Sequence, residues 1–177
     1  MEFENLMKQR RSVRKYDTDK KVSQEQITEL VKAAMLAPSW KNSQTGRYYA
    51  LLSDAELESF RLETLPEFNQ KSSAGAALVV TTFVKNIAGF TKEEPDNELA
   101  NHWGAYDLGL QNAYFCLKAA DLGLDTLIMG IRNADAIRSR LNIPENEEIV
   151  SVIAVGYRKE EPVFRKRLEA ETVLKLY

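Results

Sequence analysis

Apolar positions in the first part of the chain recur at helical intervals and then give way to continuous, strand-like runs. Phe3, Leu6 and Met7 predict a short opening helix. Ser23-Gln24-Glu25-Gln26 has the form of a capping box, and Ile27, Leu30, Val31, Ala34 and Met35 then mark one helical face until Pro38 stops it. The polar loop SWKNSQTG leads into RYYALL, a predicted strand, and Ser53 with Glu56 opens a helix expected to run to about Arg61. Residues 76–84, AALVVTTFV, form a β-branched run that suits a buried central strand.

The longest predicted helix covers about 97–122. Leu99, Trp103, Tyr106, Leu110, Tyr114 and Leu117 form one stripe, while Leu108, Phe115 and Cys116 lie off it, so more than one side must be covered. Gly123 suits its C-terminal cap. DTLIMG is a predicted strand, Asn133 caps a helix to Leu141, IVSVIAVGY makes another strand, and TVLKLY reads as a final strand-like piece. Helices and strands mix without strict βαβ alternation, which predicts an α+β fold with a mixed sheet in one domain.

The chain has 177 residues, 24 basic and 26 acidic side chains, and a net charge of −2, a balance that argues against a duplex nucleic-acid binder. The N-terminal residues MEFENLMKQR do not resemble a signal peptide and no apolar run reaches membrane-spanning length, so a cytoplasmic protein is expected. Cys116 is the single cysteine, which excludes an intrachain disulfide and reads as a core residue. His102 is the single histidine, so a histidine-rich metal site is excluded. A Cys–His nucleophilic pair would place both residues on one helix, about 21 Å apart along its axis. No dinucleotide fingerprint or Walker loop occurs. An enzyme with this sequence needs a bound cofactor to carry its chemistry.

RRSVRKY concentrates Arg10, Arg11 and Arg14 around Ser12. By itself it reads equally as a solvated basic turn or as a cradle for a dianionic phosphate, with nucleic acid a minor alternative. SWKNSQTG offers amides and hydroxyls to a polar ligand or is an ordinary polar loop.

In order and spacing, RRSVRKY, AAMLAPSWKNSQ, FNQK, LGLQNAYFCLKAADLGLDTLIMG and VIAVGYRKEEPVFRKRL together resemble the nitroreductase family of FMN-dependent oxidoreductases. The resemblance implies a nitroreductase-like α+β domain over residues 1–177, with a mainly antiparallel sheet flanked by helices and a C-terminal segment exchanged in a homodimer. It implies that Arg10, Arg11, Ser12 and Arg14, with Arg165 and Arg167, hold the FMN phosphate. Pro38, Ser39, Trp40, Asn42 and Gln44 would approach flavin across the dimer interface, Asn69 would meet the polar ring edge, and Met129 and Gly130 would pass beside the ring. The flavin would take hydride from NAD(P)H and reduce a small-molecule acceptor such as a nitroaromatic or quinone, without a catalytic side chain or a metal. A non-catalytic FMN-binding redox sensor or flavin store is the alternative, and a regulatory dimer with an empty pocket is a third reading. Thr45-Gly46 stands where relatives often carry Pro-Trp, and Met129 stands where some carry an acid.

Overall fold

The computed structural model describes residues 2–177. Its centre is a four-stranded sheet in the order β1 (Gly46–Leu51), β2 (Ala77–Val84), β6 (Glu147–Gly156) and β5 (Asp125–Met129). Every neighbouring pair is antiparallel, with Gly46 opposite Phe83, Ala77 opposite Val155 and Asp125 opposite Gly156. The one parallel element is the isolated bridge between Ser12 and Thr126, which lays the basic N-terminal segment along β5. The sheet is therefore mixed only at this edge.

Strand periodicity sends alternate β2 side chains to opposite faces. Val79 joins Ile27 and Leu30 of α2 (Gln24–Ala34) and Phe115, Cys116 and Ala119 of α5 (His102–Asp121). Leu78 and Val80 join Leu57 and Phe60 of α3 (Asp54–Thr64) and Ile137 of α6 (Ala134–Leu141) on the other face. Helices thus cover both faces, and β2 is buried along all but its last residue. The caps follow the sequence. Ser23 and Gln26 exchange both capping-box bonds, and the Asn133 side chain accepts from Ala136 N.

Two elements depart from expectation. The long helix starts at His102, because 97–101 are turns in which Asn97 Oδ1 accepts from Leu99 N and Trp103 Nε1. Its orientation is also informative: Gly104, Asp107, Leu108, Gln111, Asn112, Phe115, Cys116 and Ala119 face inward, whereas Tyr106 and Tyr114 of the apolar stripe are exposed. Gly104 permits this packing, since a Cβ there would stand 2.3 Å from the Phe83 ring. Finally, TVLKLY is not a strand. Ala170–Val173 form one helical turn, α7, and residues 174–177 have no ladder partner among the described residues.

Phe115 is fully buried and stacks on Tyr48, with centroids 5.7 Å apart and rings 5° from parallel. Phe115→Ala is expected to cost about 3–5 kcal/mol by removing buried surface and leaving a cavity. Urea unfolding at equilibrium measures this directly.

Candidate functional site

The basic segment after α1 (Phe3–Gln9) is held in place by its apolar residues. Val13 and Tyr16 are buried, Val13 N donates to Thr126 O at 3.0 Å, and Asp17 N donates to Tyr157 O at 2.8 Å. Gly156 makes room for this path, since a Cβ there would lie 2.8 Å from the Tyr16 ring. With Val13 and Tyr16 pinned inward, the intervening Arg14 and Lys15 are left exposed.

These cations open onto a cleft of about 620 Å³ lined by Arg10, Arg11, Ser12, Arg14 and Lys15 from the N-terminal segment and by Arg165 and Arg167 from the other end of the chain. All six sequence-predicted phosphate residues are therefore brought to one place. Lys71 and Ser72 of α4 (Glu67–Ser73) also line it, and sequence reasoning missed them. The acidic side chains on its wall are Glu160 and Glu161, and Glu160 pairs with Lys15 at 3.0 Å. Phe164 covers Arg11, whose guanidinium carbon is 4.7 Å from the ring centroid. A concave surface with this excess of donors fits a phosphate monoester, which offers only acceptors and negative charge.

A second group lies outside that lining. Asn69, also on α4, is buried and donates from Nδ2 to Ile131 O at 2.9 Å, tying α4 to the turn that follows β5. Gly130 sits in that turn, exposed, and a Cβ there would meet nothing within 4 Å. The backbone at this point is open to a flat ligand. Met129 precedes Gly130 at the end of β5. Its side chain is 3% exposed and belongs to the core, so only its backbone is available.

The third group is the loop 38–44, which is likewise not part of the cleft. Pro38, Asn42 and Gln44 are exposed, and Ser39 and Trp40 are half-buried. Lys41, Asn42 and Gln44 all have positive φ, a tight path fixed by Gln44 N donating to Ser39 Oγ at 3.1 Å. Lys41 Nζ reaches Thr91 Oγ1 at 2.7 Å and Asp96 at 3.2 Å, joining the loop to the hairpin of β3 (Phe90–Thr91) and β4 (Glu94–Pro95). The Thr91 hydroxyl and the Lys41 ammonium hold the Asp96 carboxyl below its ordinary range. Trp40 packs on Trp103 at 4.7 Å between centroids. The Thr45-Gly46 corner has a local explanation, because a Cβ at Gly46 would fall 1.9 Å from Gln111 Oε1.

Trp40 N also donates to Asp107 Oδ2 at 2.8 Å. Burial pushes the Asp107 carboxyl above its ordinary value, and the Trp40 amide opposes this only in part. The native state therefore holds that proton more tightly than the unfolded chain. The stabilisation this gives is complete below the ordinary aspartate pKa and is lost as pH rises through the raised native value. Asp107→Asn should flatten this part of the pH–stability curve, as read by urea unfolding across the acid range. An unchanged slope would show that Asp107 titrates as an ordinary carboxyl.

His102 and Cys116 are separate in environment as well as sequence. His102 is exposed, whereas Cys116 is buried and its thiol pKa is raised by that burial. Among the described residues no cluster of three or more His, Cys, Asp or Glu side chains could hold a metal, and no helix is long and apolar enough to cross a membrane.

The Nitroreductase family profile matches residues 7–157. An Archaeoglobus fulgidus protein, provisionally named as an NADH dehydrogenase/NAD(P)H nitroreductase, is 31% identical over 164 residues, covering 88% of this chain and 84% of its own. A nitroreductase family protein from Streptococcus pneumoniae TIGR4 shares the fold at TM-score 0.84 and 19% identity, over 99% of this chain and 100% of its own. A provisionally named nitroreductase from Exiguobacterium sibiricum 255-15, solved in complex with FMN, superposes at TM-score 0.85 and 22% identity over 100% of this chain and 98% of its own. With a family match extending over most of the sequence and a relative of this similarity along nearly its full length, the chain belongs to the nitroreductase family.

Proposed function

We propose that the protein is a cytoplasmic, homodimeric FMN-dependent oxidoreductase, one domain over residues 1–177, that uses NAD(P)H to reduce electron-poor organic acceptors such as nitroaromatics or quinones. The observation that carries this reading is the convergence of Arg10, Arg11, Ser12 and Arg14 with Arg165 and Arg167 on one cleft, from opposite ends of the sequence. The NAD(P)H nitroreductase name of the A. fulgidus relative and the FMN complex of the E. sibiricum protein support it.

In this proposal the cations hold the phosphate and the Ser12 hydroxyl adds a neutral donor. Asn69 serves the polar ring edge and keeps the Gly130 turn in place. The backbone of Met129 and Gly130 lies beside the ring, and Pro38, Ser39, Trp40, Asn42 and Gln44 face the flavin bound in the other subunit. The flavin supplies the redox chemistry, taking hydride from NAD(P)H and passing electrons to the acceptor. The chain's own residues bind, orient and shield, and none is required as acid, base or nucleophile.

The test is the visible spectrum of the purified protein, chromatography of the released cofactor, and NAD(P)H consumption with a nitroaromatic or quinone. FMN with acceptor-dependent turnover is the expected result. FAD as the tightly bound species, or a colourless protein with no affinity for added FMN, would overturn it. Tightly held FMN without NAD(P)H consumption would assign the chain to flavin storage or redox sensing instead.

A further inference from the structure

Arg165 and Arg167 reach the cleft on a segment with no regular structure of its own, since 161–168 form neither helix nor strand and all but half-buried Pro162 are exposed. Something upstream must aim them. Arg158, just past the end of β6, is gripped by Asp125, the first residue of β5. Its Nε lies 3.1 and 3.0 Å from the two carboxylate oxygens, its Nη2 lies 2.6 Å from Oδ1, and its own backbone N donates to Oδ2 at 3.1 Å. The Asp125 side chain is 5% exposed and that of Arg158 30%, so this is a forked pair anchored on a buried carboxylate. The remaining arm of the same guanidinium, Nη1, donates to Glu161 Oε2 at 2.8 Å.

One side chain therefore joins the sheet to the start of the strap. It does so beside the phosphate cleft, because Thr126, next to Asp125, accepts the Val13 backbone bond that fixes the basic segment. Glu160 adds a parallel tie to Lys15.

We propose that Asp125 and Arg158 are positioning residues for phosphate binding: Asp125 orients Arg158, Arg158 holds Glu161, and the clamp delivers Arg165 and Arg167 to the phosphate of FMN. This rests on the FMN reading above. The expected size follows from tether length. Held at Glu161, the free chain to Arg165 is about four residues, and released to Lys159, whose backbone N donates to Lys15 O at 3.0 Å, it is about six. Effective concentration falls roughly as the −3/2 power of length, so release dilutes the arginines about twofold, a cost both share because they sit on one tether.

The experiment measures FMN and riboflavin affinity by flavin fluorescence for the parent, Glu161→Asp, Arg158→Met and Arg158→Lys, with thermal stability alongside. Glu161→Asp keeps the charge on the cleft wall and the Asp125–Arg158 pair but shortens the reach to Arg158 Nη1, so it should weaken FMN about twofold with riboflavin and melting temperature unchanged. Arg158→Met should weaken FMN about two- to threefold relative to riboflavin. Arg158→Lys should recover only part, because an ammonium keeps the charge but lacks the planar fork. Folded variants with the parent's FMN-to-riboflavin ratio would overturn the clamp, as would equal losses for both ligands. If Arg158→Met does not fold, Glu161→Asp still decides. A parent protein that binds FMN no better than riboflavin would overturn the phosphate reading itself, and it would do so before any substitution is made.

Discussion

Alanine at Arg10 or at Arg167 should weaken FMN by about one to two decades while leaving riboflavin almost unaffected. Both residues line the cationic cleft, one from each end of the chain. A hydrogen bond to a charged group contributes roughly 1.5–3 kcal/mol, which corresponds to that range of affinity. Riboflavin lacks the phosphate, so it has nothing to lose from either substitution if the arginines act locally. Lys71→Ala should cost less, because Lys71 already pairs with Glu67 across one turn of α4. Titrations at fixed ionic strength settle the comparison, since rising salt weakens all such contacts at this open surface. Parallel losses for both flavins would mean that the arginines act through the fold.

Truncation before Ala170 should convert a dimer to a monomer and release flavin in the same step. In the single chain, Val173, Leu174 and Leu176 of the tail are 71%, 54% and 84% exposed, and Phe3, Met7, Leu36, Tyr106 and Tyr114 are also uncovered. A second copy of the chain would cover apolar surface on this scale. The loop 38–44 stands apart from the cleft in one chain, as expected if each flavin takes its phosphate site from one subunit and its loop from the other. Ligand and assembly are then linked, so FMN tightens association and dilution frees FMN. Sedimentation of the truncated chain, with flavin retention measured on the same sample, decides the matter. A monomer that keeps FMN as tightly as the parent rules out the shared site.

Strong periodicity made most of the fold legible. AALVVTTFV has the apolar density of a strand covered on both faces, and Ser23 and Asn133 cap their helices as their positions require. Apolar periodicity could not show which side of α5 turns inward. Asp107, Gln111 and Asn112 are buried there because Gly104 lets the helix approach β2 and the Trp40 amide supplies a partner for Asp107, relations that exist only in three dimensions. The basic cleft was readable because its charges are dense in sequence. Lys71 and Ser72 escaped because α4 is a short, polar helix with little apolar rhythm, and Pro66 followed by Glu67 was its only start signal. The tail misled because the alternation in TVLKLY predicts a strand, yet a strand requires a neighbour and this segment has none among the described residues.

The placement of β6 also governs how the chain acquires its structure. β6 is the last strand in sequence but lies inside the sheet, paired to β2 on one side and β5 on the other. A growing polypeptide that has completed β1, β2 and β5 still has β2 and β5 lacking their shared partner, so the core cannot close until residues 147–156 have emerged. These are long-range pairings, which bring loop-closure entropy into the folding barrier and slow its crossing. Until then two apolar strands present open edges, the condition under which nascent chains associate with one another. Substitutions in β6 should consequently reduce soluble yield more than their equilibrium cost alone implies, because they act on the strand that ends this exposed interval.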